Sequence, residues 1–441
     1  MKRSIVNVIK IILFIAVFFL INKGFQYILI DDIDSETRIT FHEMYEQDNI
    51  DVLFIGSSHC YRTFIPSILD EGLNVNSFNA GSSSQPIACS KLILQDAIKN
   101  NQINHVYLEV YYRFAFEDRI INNPTGMYIV TDYLNPSIEK TTCMINSSTK
   151  EELFNAFIPA RREWRNLFNL EIVKNNIKLK NTTDYKEYRL PWWSGDDYKE
   201  KGYVANYTKV TNWNFNGNEV CNDINLNDIT RDYVEDLNDI IDICKNNNIE
   251  LTLISAPMSP YLLVQVGNYD SYIDYMNNLA KNNDIEYLDF NLLKEKYFPN
   301  TSEVFKDVDH VNDYGARIVT EDLVRYANGE ISREDMFYKS YEEKLENISL
   351  TVFGIAYEET DIEDNNEEKI IKYNLISNSK NMGDVGNQFK IEAFPEGGQQ
   401  YIIQEFSKRE EFELPKNFTG KVNIKYKDNN GKEEESIITI Q

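Results

Sequence analysis

The chain has 441 residues, 42% of them hydrophobic and 26% charged, which excludes a largely disordered polymer and leaves room for two to four domains. Asp and Glu number 70 against 45 Lys and Arg, and the resulting net charge of −25 repels polyphosphates, so nucleic acid is not an expected ligand. Five cysteines (Cys60, Cys89, Cys143, Cys221, Cys244) without CxxC or HxH spacing give neither a disulfide framework nor a zinc site, and no metal or cofactor is expected. Only His42, His59, His105 and His310 can serve as an imidazole base.

Lys2 and Arg3 precede an apolar run at 5–21, interrupted by Asn7 and Lys10, with apolar residues returning at 27–30. A spanning helix needs ~20 residues, which this segment supplies if Lys10 and Lys23 snorkel to the two faces. A cleaved signal peptide is the rival reading. The residues after Ile21 lack the A-x-A spacing of a cleavage site, so a retained anchor is favoured. The basic start predicts a cytoplasmic amino terminus and an extracytoplasmic remainder in the cell membrane.

Residues 51–56 (DVLFIG) form a short apolar run ending in glycine, as expected of a strand buried on both faces. Similar runs recur at 75–78, 105–110, 251–256 and 285–290. Helix-like segments at 86–99, 232–246, 271–281 and 314–327 alternate with them. That alternation predicts an α/β domain with a parallel sheet, whose ligands bind at the carboxyl ends of the strands. About 120 residues between the third strand and the helix near Asp232 hold Trp164, Trp192, Trp193 and Trp213, and read as an inserted subdomain or lid. Beyond 330, strand-like runs at 350–357, 369–375, 389–394, 400–406 and 421–426 alternate with turn signals and predict a small β-sandwich. The expected layout is an anchor at 1–30, an α/β domain at 31–330 with an insertion at about 111–230, and a carboxyl-terminal sandwich at 331–441.

Two segments could do chemistry. In the first, Gly56-Ser57-Ser58 directly follows the first strand. Glycine lets the backbone turn, and a hydroxyl there lies near a helix amino end, where N–H groups favour developing negative charge. In the second, Asp307 and His310 lie three apart before the last helix of the α/β domain, on one side of a turn. The carboxylate can hold one imidazole nitrogen while the other serves a serine nucleophile. His59 adjoins Ser58, but adjacent side chains diverge, so it is poorly placed as the base. Each segment alone also fits an ordinary helix cap. Together they are far more specific.

On these residues the chain resembles the SGNH (GDSL-like) hydrolase and acyltransferase superfamily. The family's Gly-Asp-Ser block would fall on Gly56-Ser57-Ser58, with Ser58 as nucleophile. Its Asp-x-x-His-x-Asn-x-x-Gly block matches Asp307 to Gly315 at every defined position. The second-block glycine corresponds to Gly81, and the resemblance implies an oxyanion hole from the N–H groups of Ser58 and Gly81. The family's Gly-x-Asn-Asp block is absent, since the third strand leads into Leu108-Glu109-Val110-Tyr111-Tyr112-Arg113. Arg113 or a neighbouring tyrosine is the substitute considered for its donor. The anchor, the Gly-Ser-Ser variant and the Ser-Ala-Pro-Met-Ser-Pro segment at 255–260 are similar to an envelope branch that includes alginate acetylation proteins and the D-alanyl transfer protein of lipoteichoic acid synthesis.

That resemblance implies a serine acyltransferase O-acetylating an extracellular polysaccharide, supplied by a membrane-bound O-acyltransferase. The alternatives are a carbohydrate esterase, D-alanyl transfer to teichoic acid, and a catalytically idle glycan-binding scaffold. Trp192, Trp193 and Tyr112 are the expected sugar-contacting residues, because aromatic faces stack on sugar rings.

Overall fold

The computed structural model describes residues 2–116, 124–191, 195–210, 213–216, 223–299, 301–358, 370–382, 386–428 and 430–440. It divides into two compact units, one of Met1–Tyr61, Asn74–Asn206 and Ile229–Leu251, the other of Arg62–Leu73, Tyr207–Asp228 and Thr252–Gln441.

The first unit opens with a helix, Lys2–Leu29, which over Ile5–Leu29 is long and apolar enough to cross a membrane. A second helix, Glu36–Glu46, starts where the Ser35 side chain accepts from the Arg38 N–H. Three parallel strands follow: β1 (Val52–Ile55), β2 (Ser77–Asn79) and β3 (His105–Glu109), with β1 in the middle. Every β1 side chain is buried, which explains an apolar run without alternation. Helices Ile87–Ala97 and Arg231–Asn246 pack together, where Lys91 Nζ meets Asp236 at 2.5 Å and Asp239 at 2.8 Å.

Much of the predicted insertion belongs to this unit and is helical, with helices Pro124–Thr131, Ile138–Asn146, Glu152–Phe157 and Leu170–Lys180. A two-stranded hairpin, β4 (Asp197–Tyr198) with β5 (Val204–Ala205), closes on the edge of β2, where the Asn79 N–H donates to the Lys201 carbonyl at 2.9 Å. Gly202 permits that approach. Its φ is +84°, and a Cβ there would lie 1.7 Å from the Asn79 carbonyl oxygen.

The second unit takes the rest of the insertion into a different sheet. Strand β6 (Asn214–Asn216) pairs parallel with β9 (Val352–Glu358), in register Asn214 with Ile355. Trp213 is buried just before it, stacked on Tyr261 at 5.8 Å, and Gly354 faces it because a Cβ there would sit 2.4 Å from the Trp213 carbonyl oxygen. The interval 111–230 is therefore shared between both units. Strands β7 (Glu250–Ser255) and β8 (Glu286–Asp289) pair in parallel, and helices Tyr269–Asn283 and Asp313–Ala327 accompany them.

The carboxyl-terminal region is two four-stranded sheets around one core. The first has the order β13-β10-β9-β6 and the second β12-β11-β14-β15. The strands are β10 (Ile370–Ser377), β11 (Gln388–Pro395), β12 (Tyr401–Ser407), β13 (Glu411–Pro415), β14 (Gly420–Lys427) and β15 (Glu433–Ile440). Ile355, Tyr373 and Phe412 from one sheet meet Phe389, Ile391 and Ile424 from the other. The chain is thus α/β with parallel strands, followed by a mainly antiparallel pair of sheets and preceded by one apolar helix.

Candidate active site

In the first unit the chain leaves β1 at Gly56 and enters a six-residue helix, Ser58–Thr63. Ser57 caps that helix: its Oγ accepts from the His59 N–H at 3.2 Å, and its carbonyl accepts from the Cys60 N–H at 3.0 Å. The cap expected of a Gly-Ser-Ser turn is therefore Ser57, and Ser58 is the first helical residue. Gly56 is required by close packing, because a Cβ there would meet the Glu109 Cβ at 2.5 Å.

Glu109, the last residue of β3, is the group that sequence reasoning passed over. Its Oε2 accepts both the Ser57 N–H at 2.8 Å and the Ser57 Oγ–H at 2.7 Å. Its Oε1 is buried with no hydrogen-bond partner among the described residues. Burial pushes this carboxyl up to about 7, against the two Ser57 bonds, which favour the charged form. A glutamate thus occupies the strand end where the Gly-x-Asn-Asp block was sought, and it holds the serine turn. Its partner is 52 residues away in sequence, and a lone polar residue closing an apolar run carries no motif that could have announced it.

Asn79 ties the end of β2 to the same turn. Its Nδ2 donates to the Cys60 carbonyl at 3.0 Å, and its Oδ1 accepts from the Cys60 thiol at 3.4 Å and the Gly81 N–H at 3.1 Å. Gly81 lies against the turn, where a Cβ would be 3.0 Å from the Ser57 carbonyl oxygen. Its N–H is engaged by Asn79, so it reaches an oxyanion only if Asn79 releases it. His59 is buried with its ring on Tyr111, centroids 4.2 Å apart. Of the remaining candidates in this unit, Arg113 is exposed. Tyr112 is buried, with its ring edge-on to Tyr111 at 5.2 Å, and offers no open face to a sugar. Trp192 and Trp193 lie outside the described residues.

In the second unit Asp307 and His310 are brought together. His310 Nδ1 lies 2.9 Å from Asp307 Oδ1 and 3.1 Å from Oδ2, and Oδ1 also accepts the backbone N–H groups of Asp309 and His310 at 2.9 and 2.8 Å. Burial alone would raise the Asp307 carboxyl, but the bonds and charge of His310 prevail and hold it well below the usual carboxylate range. With Nδ1 turned to a carboxylate, that nitrogen carries the proton and Nε2 is the basic one.

The residues after His310 lock this loop. Asn312 caps helix Asp313–Ala327 by accepting the Gly315 N–H at 3.1 Å, while its Nδ2 donates to the carbonyls of Glu303, Thr208 and Phe305 at 2.7, 3.2 and 3.3 Å. Gly315 is needed because a Cβ there would lie 2.4 Å from the Val304 carbonyl oxygen. The Asp-x-x-His-x-Asn-x-x-Gly pattern therefore has a local cause at each defined position: an imidazole paired with a carboxylate, a helix cap, and the helix residue that fits beneath.

No known protein family matches the chain, and no curated protein matches it. Among solved structures it is similar to a protein described as a lipolytic protein of G-D-S-L family from Desulfitobacterium hafniense, at 11% identity and a TM-score of 0.30, over 63% of this chain and 99% of that one. It is similar to a GDSL-like lipase from Bacteroides thetaiotaomicron at 11% identity and a TM-score of 0.30, over 68% and 98% of the two chains. A protein described as an acylhydrolase from Bacteroides fragilis is similar at 10% identity and a TM-score of 0.26, over 66% and 93%. Likenesses this distant say nothing of this chain's chemistry, which has to be argued from its own residues.

Proposed function

We propose that this chain is a membrane-anchored, extracytoplasmic serine acyltransferase of the SGNH type, O-acetylating a cell-surface or secreted polysaccharide through an acyl-enzyme. The observation that carries this reading is the Asp307–His310 pair, whose ionised carboxylate holds Nδ1 and makes Nε2 the base. Ser58, at the start of the helix after β1, is the nucleophile.

In the first half-reaction Ser58 Oγ attacks the acyl carbonyl while His310 Nε2 takes its proton. The carbonyl oxygen becomes an oxyanion, held by the Ser58 N–H and by Gly81 once Asn79 lets go; each such donor is worth about 10²–10³ in rate. Collapse of the tetrahedral intermediate expels the donor's leaving group, which takes the proton from His310. In the second half-reaction a sugar hydroxyl gives its proton to His310 and attacks the acyl-serine, and Ser58 leaves reprotonated. Asp307 stays ionised throughout and stabilises the imidazolium. The amino-terminal helix, with its basic start, supports a cytoplasmic amino terminus and a catalytic portion outside. Activated acyl groups then have to be supplied across the bilayer, for which a membrane-bound O-acyltransferase is the proposed partner and polysaccharide or teichoic acid the acceptor.

A fluorophosphonate probe tests the nucleophile. It is expected to label the wild type and to leave Ser58→Ala unlabelled, and equal labelling of both would overturn the assignment. Supplying an acyl ester with and without oligosaccharide then separates acyl transfer from release of free acid, the outcome expected of an esterase.

A further inference from the structure

A second surface of the first unit differs from the rest of this acidic molecule. The side chains of the amino-terminal helix from Ile9 to Ile21 are all exposed, and the protein begins to cover the helix at Asn22, which is buried. At about 1.5 Å per residue, the ~20 residues before Asn22 span ~30 Å, the thickness of a bilayer's hydrocarbon core. The folded part of this unit therefore starts at the height where hydrocarbon ends.

The insertion contacts the helix six to seven residues further on, about 10 Å past Asn22. Asn166 Nδ2 donates to the Leu29 carbonyl and Asn176 Nδ2 to the Ile28 carbonyl, each at 3.2 Å. Lys180, buried, pairs with Asp32 at 2.7 Å and lies 5.5 Å from the centre of the Tyr27 ring. These bonds fix the insertion to the end of the helix.

Beside this junction the insertion exposes Phe154 (60%), Trp164 (53%), Phe168 (78%) and Leu170 (69%), with Leu167 and Ile177 also exposed. Single exposed apolar residues need no explanation, but with Phe157 there are seven within 24 positions, which form a patch. The charges there are reversed as well. Arg161, Arg165, Lys174 and Lys178 are exposed along the stretch, against only Glu163 and Glu171, on a chain whose net charge is −25. Aromatic and leucine side chains interleaved with Lys and Arg are the composition that partitions into the headgroup–acyl boundary.

We propose that this face, residues 154–178, rests in the outer bilayer interface beside the amino-terminal helix, its aromatic side chains in the acyl boundary and its cations on anionic headgroups. The place of this patch beside the end of a bilayer-length apolar helix and its surplus of cations both favour lipid over the apolar face of a neighbouring protein. Resting on the interface in this way, the insertion holds the first unit at a set height and tilt above the membrane.

The test uses the full chain, purified and reconstituted into vesicles of equal parts phosphatidylcholine and phosphatidylglycerol, with and without chain-brominated lipid, which quenches tryptophan in the acyl region. The wild type is expected to be quenched more than Trp164→Phe, by up to about a quarter of the emission, the share of one tryptophan among four. Phe168→Glu with Leu170→Glu is expected to lower the quenching of Trp164 while the chain stays anchored, as is raising salt or omitting phosphatidylglycerol. Equal quenching of the wild type and Trp164→Phe in these lipid-only vesicles would overturn the proposal, and would be the result if this face instead covers a membrane protein.

Discussion

Glu109 in the first unit and Asp307 in the second each accept hydrogen bonds from a neighbour's backbone and side chain, yet their environments drive them in opposite directions. Glu109 is buried, spends one oxygen on Ser57 and leaves the other without a partner among the described residues, so desolvation dominates and its carboxyl rises to about 7. Asp307 is half-exposed and meets two N–H groups and an imidazole, so its negative charge is stabilised and its carboxyl falls. A carboxyl that only has to hold a turn can afford to be neutral over part of the pH range. One that has to face an imidazolium cannot. On the proposed mechanism the two regions therefore separate a structural from a chemical use of the same functional group.

The most damaging way to break the comparison is Asp307→Asn. The amide keeps the shape but cannot stabilise the imidazolium, and it can present an N–H to Nδ1 and so select the wrong tautomer. On the proposed mechanism, acyl transfer or probe labelling is expected to fall about 10³–10⁴-fold with little change in melting point. A loss of less than tenfold would mean that the pair in the second unit is structural too.

The pH dependence of stability sharpens the contrast. Below the ordinary glutamate pKa of about 4.3, Glu109 is neutral whether folded or unfolded and imposes no penalty. As pH rises toward the folded value of about 7, the unfolded chain ionises first and binds fewer protons, so stability falls, by an amount on the order of a few kcal/mol, and then levels off. Asp307 runs the other way: its depressed pKa stabilises the fold above the ordinary carboxylate range, and that contribution is lost only as pH drops through its folded value. Between pH 5 and 7 the slope should therefore belong to Glu109, among these two. Melting points of Glu109→Gln across that window are expected to be flatter than those of the wild type, and an unchanged slope would rule out a buried, destabilised carboxyl.

The same contrast marks what the amino-acid sequence could and could not disclose. Asp307, His310, Asn312 and Gly315 act on one another within nine positions, so their spacing is their geometry, and the loop was legible. The parallel strands were legible because burial on both faces leaves continuous apolar runs such as 52–55. Glu109 was not, since its work depends on β3 pairing beside β1. Strand β15 was hidden because it begins with Glu433, Glu434 and Glu435, which read as a solvated charge run until the pairing with β14 sets Glu435 opposite Lys425. Strand β6 was missed because three residues within the insertion become a strand only against β9. Local chemistry was readable, and chemistry across strands was not.

The smallest expected effect separates the two adjacent serines. Ser57→Ala removes the cap on the His59 N–H and the hydroxyl bond to Glu109, leaving Glu109 only the Ser57 N–H. Loss of a serine cap costs about 1 kcal/mol, and in a unit of this size that lowers the melting point by about 2–4 °C. Fluorophosphonate labelling should survive, because the proposed nucleophile remains at the first helical position and Gly56 still turns the chain. Glu109, with one bond fewer to favour its charged form, should titrate higher still, extending the falling part of the stability profile to higher pH. Labelling lost in Ser57→Ala but retained in Ser58→Ala would transfer the nucleophile to Ser57 and make Glu109 its hydrogen-bonded partner in the chemistry.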